Sequence, residues 1–307
     1  MAQYRHSKNC FGFQVLSFEL NSEPATLNSK RVWVIPLLAA VLLVAAVPAF
    51  PAPKAELWAR WQKSEPTSRQ KIDHGAWDRF LKVNVVAPHP SGINRVRYQN
   101  VGPEDQKLLN DYLRSLQATT ISNYNRDEQK AFWINLYNAL TVQLILSRYP
   151  VVSIRDINIS PGLFERGPWG AKSMTVEGER LSLDDIEHRI LRPIWKDKRI
   201  HYALNWASLG SPNLQAIAYA GENTEALLEK GAREFINHPR GVSIQKGKLQ
   251  VSSIYVWFQE DFGRDAEELM GHWQQYADSA LADALAKYQG GLAHDYDWRL
   301  NSIDAKP

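Results

Sequence analysis

Cysteine is nearly missing from this chain: Cys10 is the only one among 307 residues. It precedes the apolar stretch 32–50, so the folded part beyond has no thiol, which excludes internal disulfides, cysteine-ligated metal and thiol catalysis there. Excess charge is missing too. The first 50 residues hold four of the 36 Lys+Arg and two of the 33 Asp+Glu, which leaves a net of +1 for the rest. A nucleic-acid surface needs a basic stripe, so no nucleic-acid partner is expected. The chain also lacks a Gly-rich phosphate loop, a dinucleotide fingerprint, a Gly-x-Ser-x-Gly elbow and a His-Glu-x-x-His pair. No cofactor is therefore expected. Nor is a metal, because Glu187 and His188 are neighbours that point about 100° apart on a helix, which makes one shared ion awkward. There is no internal repeat and no low-complexity run.

What is present starts with the uncharged run 32–50, VWVIPLLAAVLLVAAVPAF, which follows Lys30-Arg31. Spanning a bilayer takes on the order of 20 apolar residues. Positive charge ahead of the span keeps the amino end cytoplasmic and sends the rest across. The run is expected to be either a retained membrane anchor or a cleaved signal peptide cut near Val47-Pro48-Ala49. Either reading puts the folded part outside the cytoplasm, tethered to the membrane or released into the periplasm. The sequence thus divides into a cytoplasmic leader (1–31), an anchor or signal (32–50), a Pro- and charge-containing tether (51–68) and one domain (69–302).

With 44% hydrophobic residues the domain can bury a full core. Eleven Trp, twelve Tyr and ten Phe supply large rings for it; such rings also stack on sugars. Asn125 and Glu128 form a capping-box pattern ahead of a long helix that stops before Tyr149-Pro150, and Ser182 with Asp185 forms a second box ahead of a helix ending near Pro193. Helices are also expected over 224–236 and 265–286. Segments 173–181, around Glu177-Gly178, and 242–252, around Lys246-Gly247, read as hairpins. Segments 200–204 and 294–300 read as further strands. The expected fold is α+β, mostly helical, with a small antiparallel sheet.

Polar residues inside apolar runs mark the candidate site. In the helix after Asn125, apolar side chains lie on every side, and Asn135 and Asn138 share a buried stripe with Ala131, Ala139 and Val142. Those amides either tie loop backbone or line a ligand site. In the following helix Glu187 falls within the apolar arc of Leu183, Ile186, Ile190 and Leu191, with His188 and Arg192 at its border. A buried carboxylate must pair with a cation or keep its proton, and His201, Arg192 and Arg155 are the candidate partners. The stretch 200–214, IHYALNWASLGSPNL, adds His201, Asn205, Ser208 and Ser211, with a turn at Gly210-Ser211-Pro212. Glu187, His201 and Ser211 are the candidate catalytic residues. Asn135, Asn138, His188, Arg192, Asn205 and Ser208 are the candidate substrate-binding residues.

These stretches, with 131–140 (AFWINLYNAL), 183–192 (LDDIEHRILR) and 296–301 (YDWRLN), resemble the family known as domain of unknown function 547, over residues 73–301. Members usually read Asn-Cys-Ala-Ser and then Cys-Pro, where this chain has Asn205-Trp206-Ala207-Ser208 and Ser211-Pro212. Both family cysteines are replaced, so any thiol-dependent role of the family does not carry over. The resemblance implies no activity. Two readings stay open: an envelope protein doing acid–base, hydrolase-like chemistry on an envelope substrate, or a non-catalytic binding or scaffold domain.

Overall fold

The computed structural model describes residues 53–162 and 166–304. The leader, the anchor or signal run 32–50 and tether residues 51–52 lie outside the described residues. Among those described, no helix is long and apolar enough to cross a membrane.

From Pro53 the chain is already part of the packing. Glu56 and Trp58 donate backbone N–H groups to the carbonyls of His188 and Arg189, both at 3.0 Å. Trp61 is buried against Trp133, ring centroids 5.0 Å apart. The expected tether therefore covers the domain rather than leading to it, because its Trp residues find core surface. Helix α1 (Gly75–Asn84) follows, then the short pair β1 (Val85–Val86) and β2 (Arg95–Val96), then α2 (Pro103–Ala118).

Helix α3 (Arg126–Arg148) is the spine. Seventeen of its 23 residues are buried, as the apolar residues on every side of it required. Asn125 caps it by accepting from the Glu128 backbone N–H at 3.0 Å. The reciprocal half of the box is absent, since the Glu128 carboxylate holds Ile72 N instead.

The hairpin of β3 (Met174–Val176) and β4 (Glu179–Leu181) forms where expected. Glu177 and Gly178, with φ of 45° and 81°, supply the two left-handed residues that a tight turn between twisted strands needs. Ser182 and Asp185 form a complete box: Asp185 N donates to Ser182 Oγ, and Ser182 N donates to the Asp185 carboxylate at 2.8 Å. The helix they start widens at once into a π-helix, Asp185–Leu191, and returns to α geometry only in α4 (Arg192–Trp195). Its carbonyls at His188 and Arg189 are the ones the amino-terminal strap takes up.

Segment 200–204 is not a strand. Lys198–Tyr202 is a 3₁₀-helix capped by Asp197, whose side chain accepts from Arg199 N at 2.9 Å. The tight helix turns Ile200, His201 and Tyr202 to different sides, so that all three are buried; a strand would bury alternate residues only.

The rest comprises α5 (Thr224–Ile236), β5 (Val242–Gln245), β6 (Lys248–Ser252), α6 (Ile254–Trp257), α7 (Gln259–Phe262), α8 (Ala266–Tyr276), α9 (Ser279–Ala286) and β7 (Leu292–Asp295). The β5–β6 hairpin turns at Lys246 and Gly247 as expected. The sheet it starts is not purely antiparallel, because β7 pairs parallel to β6. The strand expected over 294–300 is β7, and it ends at Asp295. The result is a mixed helical and small-sheet fold with two cores. One surrounds α3; the other lies among α5, the β5–β6 hairpin and α6–α9.

Candidate functional site

The seam between the two cores is where polar side chains meet. The π-helix brings Glu187 from the first core, α7 brings Asp261 from the second, and the 3₁₀-helix places His201 between them. His201 Nε2 lies 2.7 Å from Asp261 Oδ2, and Nδ1 lies 3.9 Å from Glu187 Oε1. The imidazole is held between Phe258 and Phe262, centroids 4.3 and 5.0 Å away.

Glu187 is 2% exposed. Its Oε2 accepts a hydrogen bond from Tyr137 at 2.9 Å, while Oε1 is buried without a hydrogen-bond partner. Burial and the adjacent Glu187 carboxylate both push the Tyr137 phenol well up, so it stays a donor. Arg192 does not pair with Glu187, nor does Arg155, which lies over Trp298. Arg192 instead donates to Asp261 at 2.5 Å, Glu260 at 2.9 Å and the Pro53 carbonyl at 2.6 Å, and lies 3.1 Å from His188 Nδ1. Burial raises the Asp261 carboxyl, but hydrogen bonds from His201 and Arg192 outweigh it and hold the group at about 2. Asp261 is therefore a permanent anion that fixes His201 by its Nε2 side.

The three asparagines hold loops. Asn135 donates to Tyr219 O at 2.7 Å and accepts from Tyr219 N at 3.0 Å. Asn138 donates to Ala203 O and accepts from Asn205 N, both at 2.9 Å. Asn205 donates to Pro212 O and accepts from Ala207 N. Asn135 and Asn138 meet a distant backbone with both amide atoms while Asn205 closes a local turn at Ala207, and an unmet buried amide would cost about 1–3 kcal/mol. Between these bonds Ala207 is held at φ 52°, a strained position for a residue with a Cβ.

Ser211 is set apart from His201. Its Oγ accepts from Trp206 N at 2.9 Å and also bonds the Tyr296 hydroxyl, which lies 2.9 Å from Ser208 Oγ. The two imidazole nitrogens face carboxylates, so the arrangement is not a serine–histidine pair. Among the described residues, no group of three or more His, Cys, Asp or Glu could hold a metal ion.

Residues 121–236 match the model of the family described as protein of unknown function, DUF547. The chain carries a DUF547 domain. No curated protein and no solved structure matches the chain. The DUF547 match spans Tyr137, Glu187, Arg192, His201 and Ser211 but stops before Asp261 and Tyr296. Both were missed in the sequence. A signal for Asp261 was there: Gln259-Glu260-Asp261 interrupts an aromatic run between Phe258 and Phe262, as Glu187 interrupts an apolar arc.

Proposed function

We propose that Glu187 and His201 form an acid–base pair in an exported or membrane-tethered envelope protein, with hydrolase-like chemistry on an envelope substrate. The reading rests on the unpartnered Glu187 Oε1 facing His201 Nδ1. A buried carboxylate oxygen without a donor is costly, and folds retain such groups mainly where they are used. With Nε2 fixed on Asp261, a proton that leaves or joins Nδ1 has Glu187 as its nearest exchange partner. In this reading Asp261, Tyr137 and Asn138 position the pair, and Arg192, itself against His188, stabilises Asp261. The half-buried rings of Trp206, Trp257, Tyr296 and Trp298 pack on one another beside Phe258, and in this reading a sugar or another flat-faced group stacks on them.

The second reading, a binding or scaffold domain, draws support from the burial of Glu187, His201 and Ser211 and from the amides already spent on loop backbone. A panel of 4-nitrophenyl esters and glycosides separates the two. Acid–base chemistry predicts turnover by the full chain that falls at least about 100-fold in Glu187→Gln, with circular dichroism unchanged. No turnover by the wild type, with Glu187→Gln altering only stability, would leave the scaffold reading.

Export is proposed from Lys30-Arg31 ahead of the uncharged run 32–50. An alkaline phosphatase fused after Lys54 should be active, and a cytoplasmic reporter at the same point silent. The reverse pattern would place the domain inside.

A further inference from the structure

Away from the Glu187 pair, two buried arginines lie within electrostatic reach of each other, each with guanidinium nitrogens that no anion meets. Arg95, on β2, is 7% exposed, and its Nη1 is buried with no hydrogen-bond partner. Arg240, just after α5, has both Nε and Nη1 buried and unpartnered; its Nη2 alone is bonded, to Asn213 Oδ1 at 2.8 Å. The same Asn213 oxygen accepts from Asn94 N at 2.9 Å, which puts Arg240 beside the strand carrying Arg95. His238 closes the same joint by its contact with Ser91 O at 2.9 Å.

The carboxylates in reach are engaged elsewhere. Glu234 is taken by Lys230, Gln215 and Asn213, and Asp297 by Arg299. Burial pulls the Arg240 guanidinium down to about 10; Tyr296 and Glu234 oppose this, and the charge of Arg95 adds to it. Burial also lowers Arg95, as does Arg299, against Asp297. Two cations are thus held close together, with three buried N–H-bearing nitrogens unused. Arg240 also lies over the Phe235 ring, 5.4 Å from its centre, but that contact leaves these in-plane donors unmet, and a buried unmet donor is costly unless a ligand completes it.

We propose that Arg95 and Arg240 bind a phosphoryl group, as free phosphate or as a phosphate ester. Guanidinium donors match phosphate oxygens in geometry, and a dianion balances both charges where a single carboxylate balances one. Asn213 holds Arg240 in place for this. Both arginines lie outside the span 121–236, so the site belongs to this chain's own flanks and is independent of the acid–base reading.

The test uses the full chain in detergent and inorganic phosphate as the probe. Millimolar phosphate should raise the thermal midpoint by a few degrees over sodium chloride or acetate at matched ionic strength and pH. Arg95→Gln and Arg240→Gln should each abolish that rise while remaining folded without phosphate. Calorimetric titration of phosphate into the wild type and into the double variant provides a second measurement if one single variant fails to fold. Three results overturn the site: neither phosphate nor glucose 6-phosphate better than chloride, acetate equal to phosphate, or binding undiminished in the variants. If phosphate is ineffective while glucose 6-phosphate binds and loses binding in the double variant, the source is an ester rather than the free ion, and the site stands.

Discussion

Acidification from pH 6.5 to 4 is expected to remove about 5 kcal/mol of stability, a large share of what a folded domain holds. The cause is two histidines buried as neutral rings. Burial lowers His74 to about 4 and His272 to about 3, from an ordinary 6.5; for His272 the charges of Lys198 and His201 add to this. Each is depressed on folding, so the unfolded chain binds the proton first. Their contribution is complete above pH 6.5 and is lost as pH falls toward the folded values, at about 1.4 kcal/mol per pH unit for each ring.

The contacts explain why neither ring accepts a charge. His74 Nδ1 sits 2.7 Å from the Tyr112 hydroxyl and His272 Nε2 sits 2.7 Å from that of Tyr202, while the other nitrogen of each is buried without a partner. Charging either ring would leave a buried cation with an unmet donor. Urea unfolding at half-unit pH steps measures the slope, and His272→Phe should about halve it. A flat profile between pH 6.5 and 4, or an unchanged slope in that variant, would show that the rings charge freely. Below pH 4 Asp261 adds a further loss of about 2 kcal/mol, because its depressed carboxyl stabilises the fold above 3.8 and ceases to as pH falls through about 2.

Local rules carried the sequence reading where the chain obeys them. Asn125, Ser182, Glu177-Gly178 and Lys246-Gly247 each act through neighbours within a few residues, so caps and hairpins were legible. So was the burial of Glu187, since an apolar arc persists whether the helix has α or π spacing. The π geometry itself was not legible; it depends on carbonyls that the strap at Glu56 and Trp58 satisfies from over 130 residues away. The 3₁₀-helix at His201 was hidden because Ile200-His201-Tyr202 alternates apolar, polar and apolar residues, which period-two reasoning takes for a strand. Asp261 was missed for a different reason. It meets His201 across 60 residues, and only the folding of α7 against the 3₁₀-helix makes them partners. Likewise, nothing local in β7 could show that it would join β6 in parallel.

Arg192→Met is expected to destabilise the fold by about 3–5 kcal/mol, because it takes the buried cation away from the mostly buried Asp261 carboxylate. Methionine keeps the apolar stem over Phe258, where the guanidinium carbon now lies 4.9 Å from the ring centre, so lost packing contributes little. What goes is the set of bonds to Asp261, Glu260 and the Pro53 carbonyl. Asp261, 20% exposed at its side chain, then relies on His201 alone, and its carboxyl should rise from about 2. The double variant Arg192→Met, Asp261→Asn isolates that term. With the charge already removed, the arginine is missed less, and the two losses should fall short of additive by about 1–3 kcal/mol. The same double change frees His201 Nε2 from its anion, so the imidazole shifts in NMR should move in the double variant and in Asp261→Asn, and move less in Arg192→Met. Denaturant unfolding of the three variants completes the cycle. Arg192→Met within 1 kcal/mol of the wild type, or strict additivity, would mean that solvent already screens the cluster and that Arg192 does not hold Asp261 in place for His201.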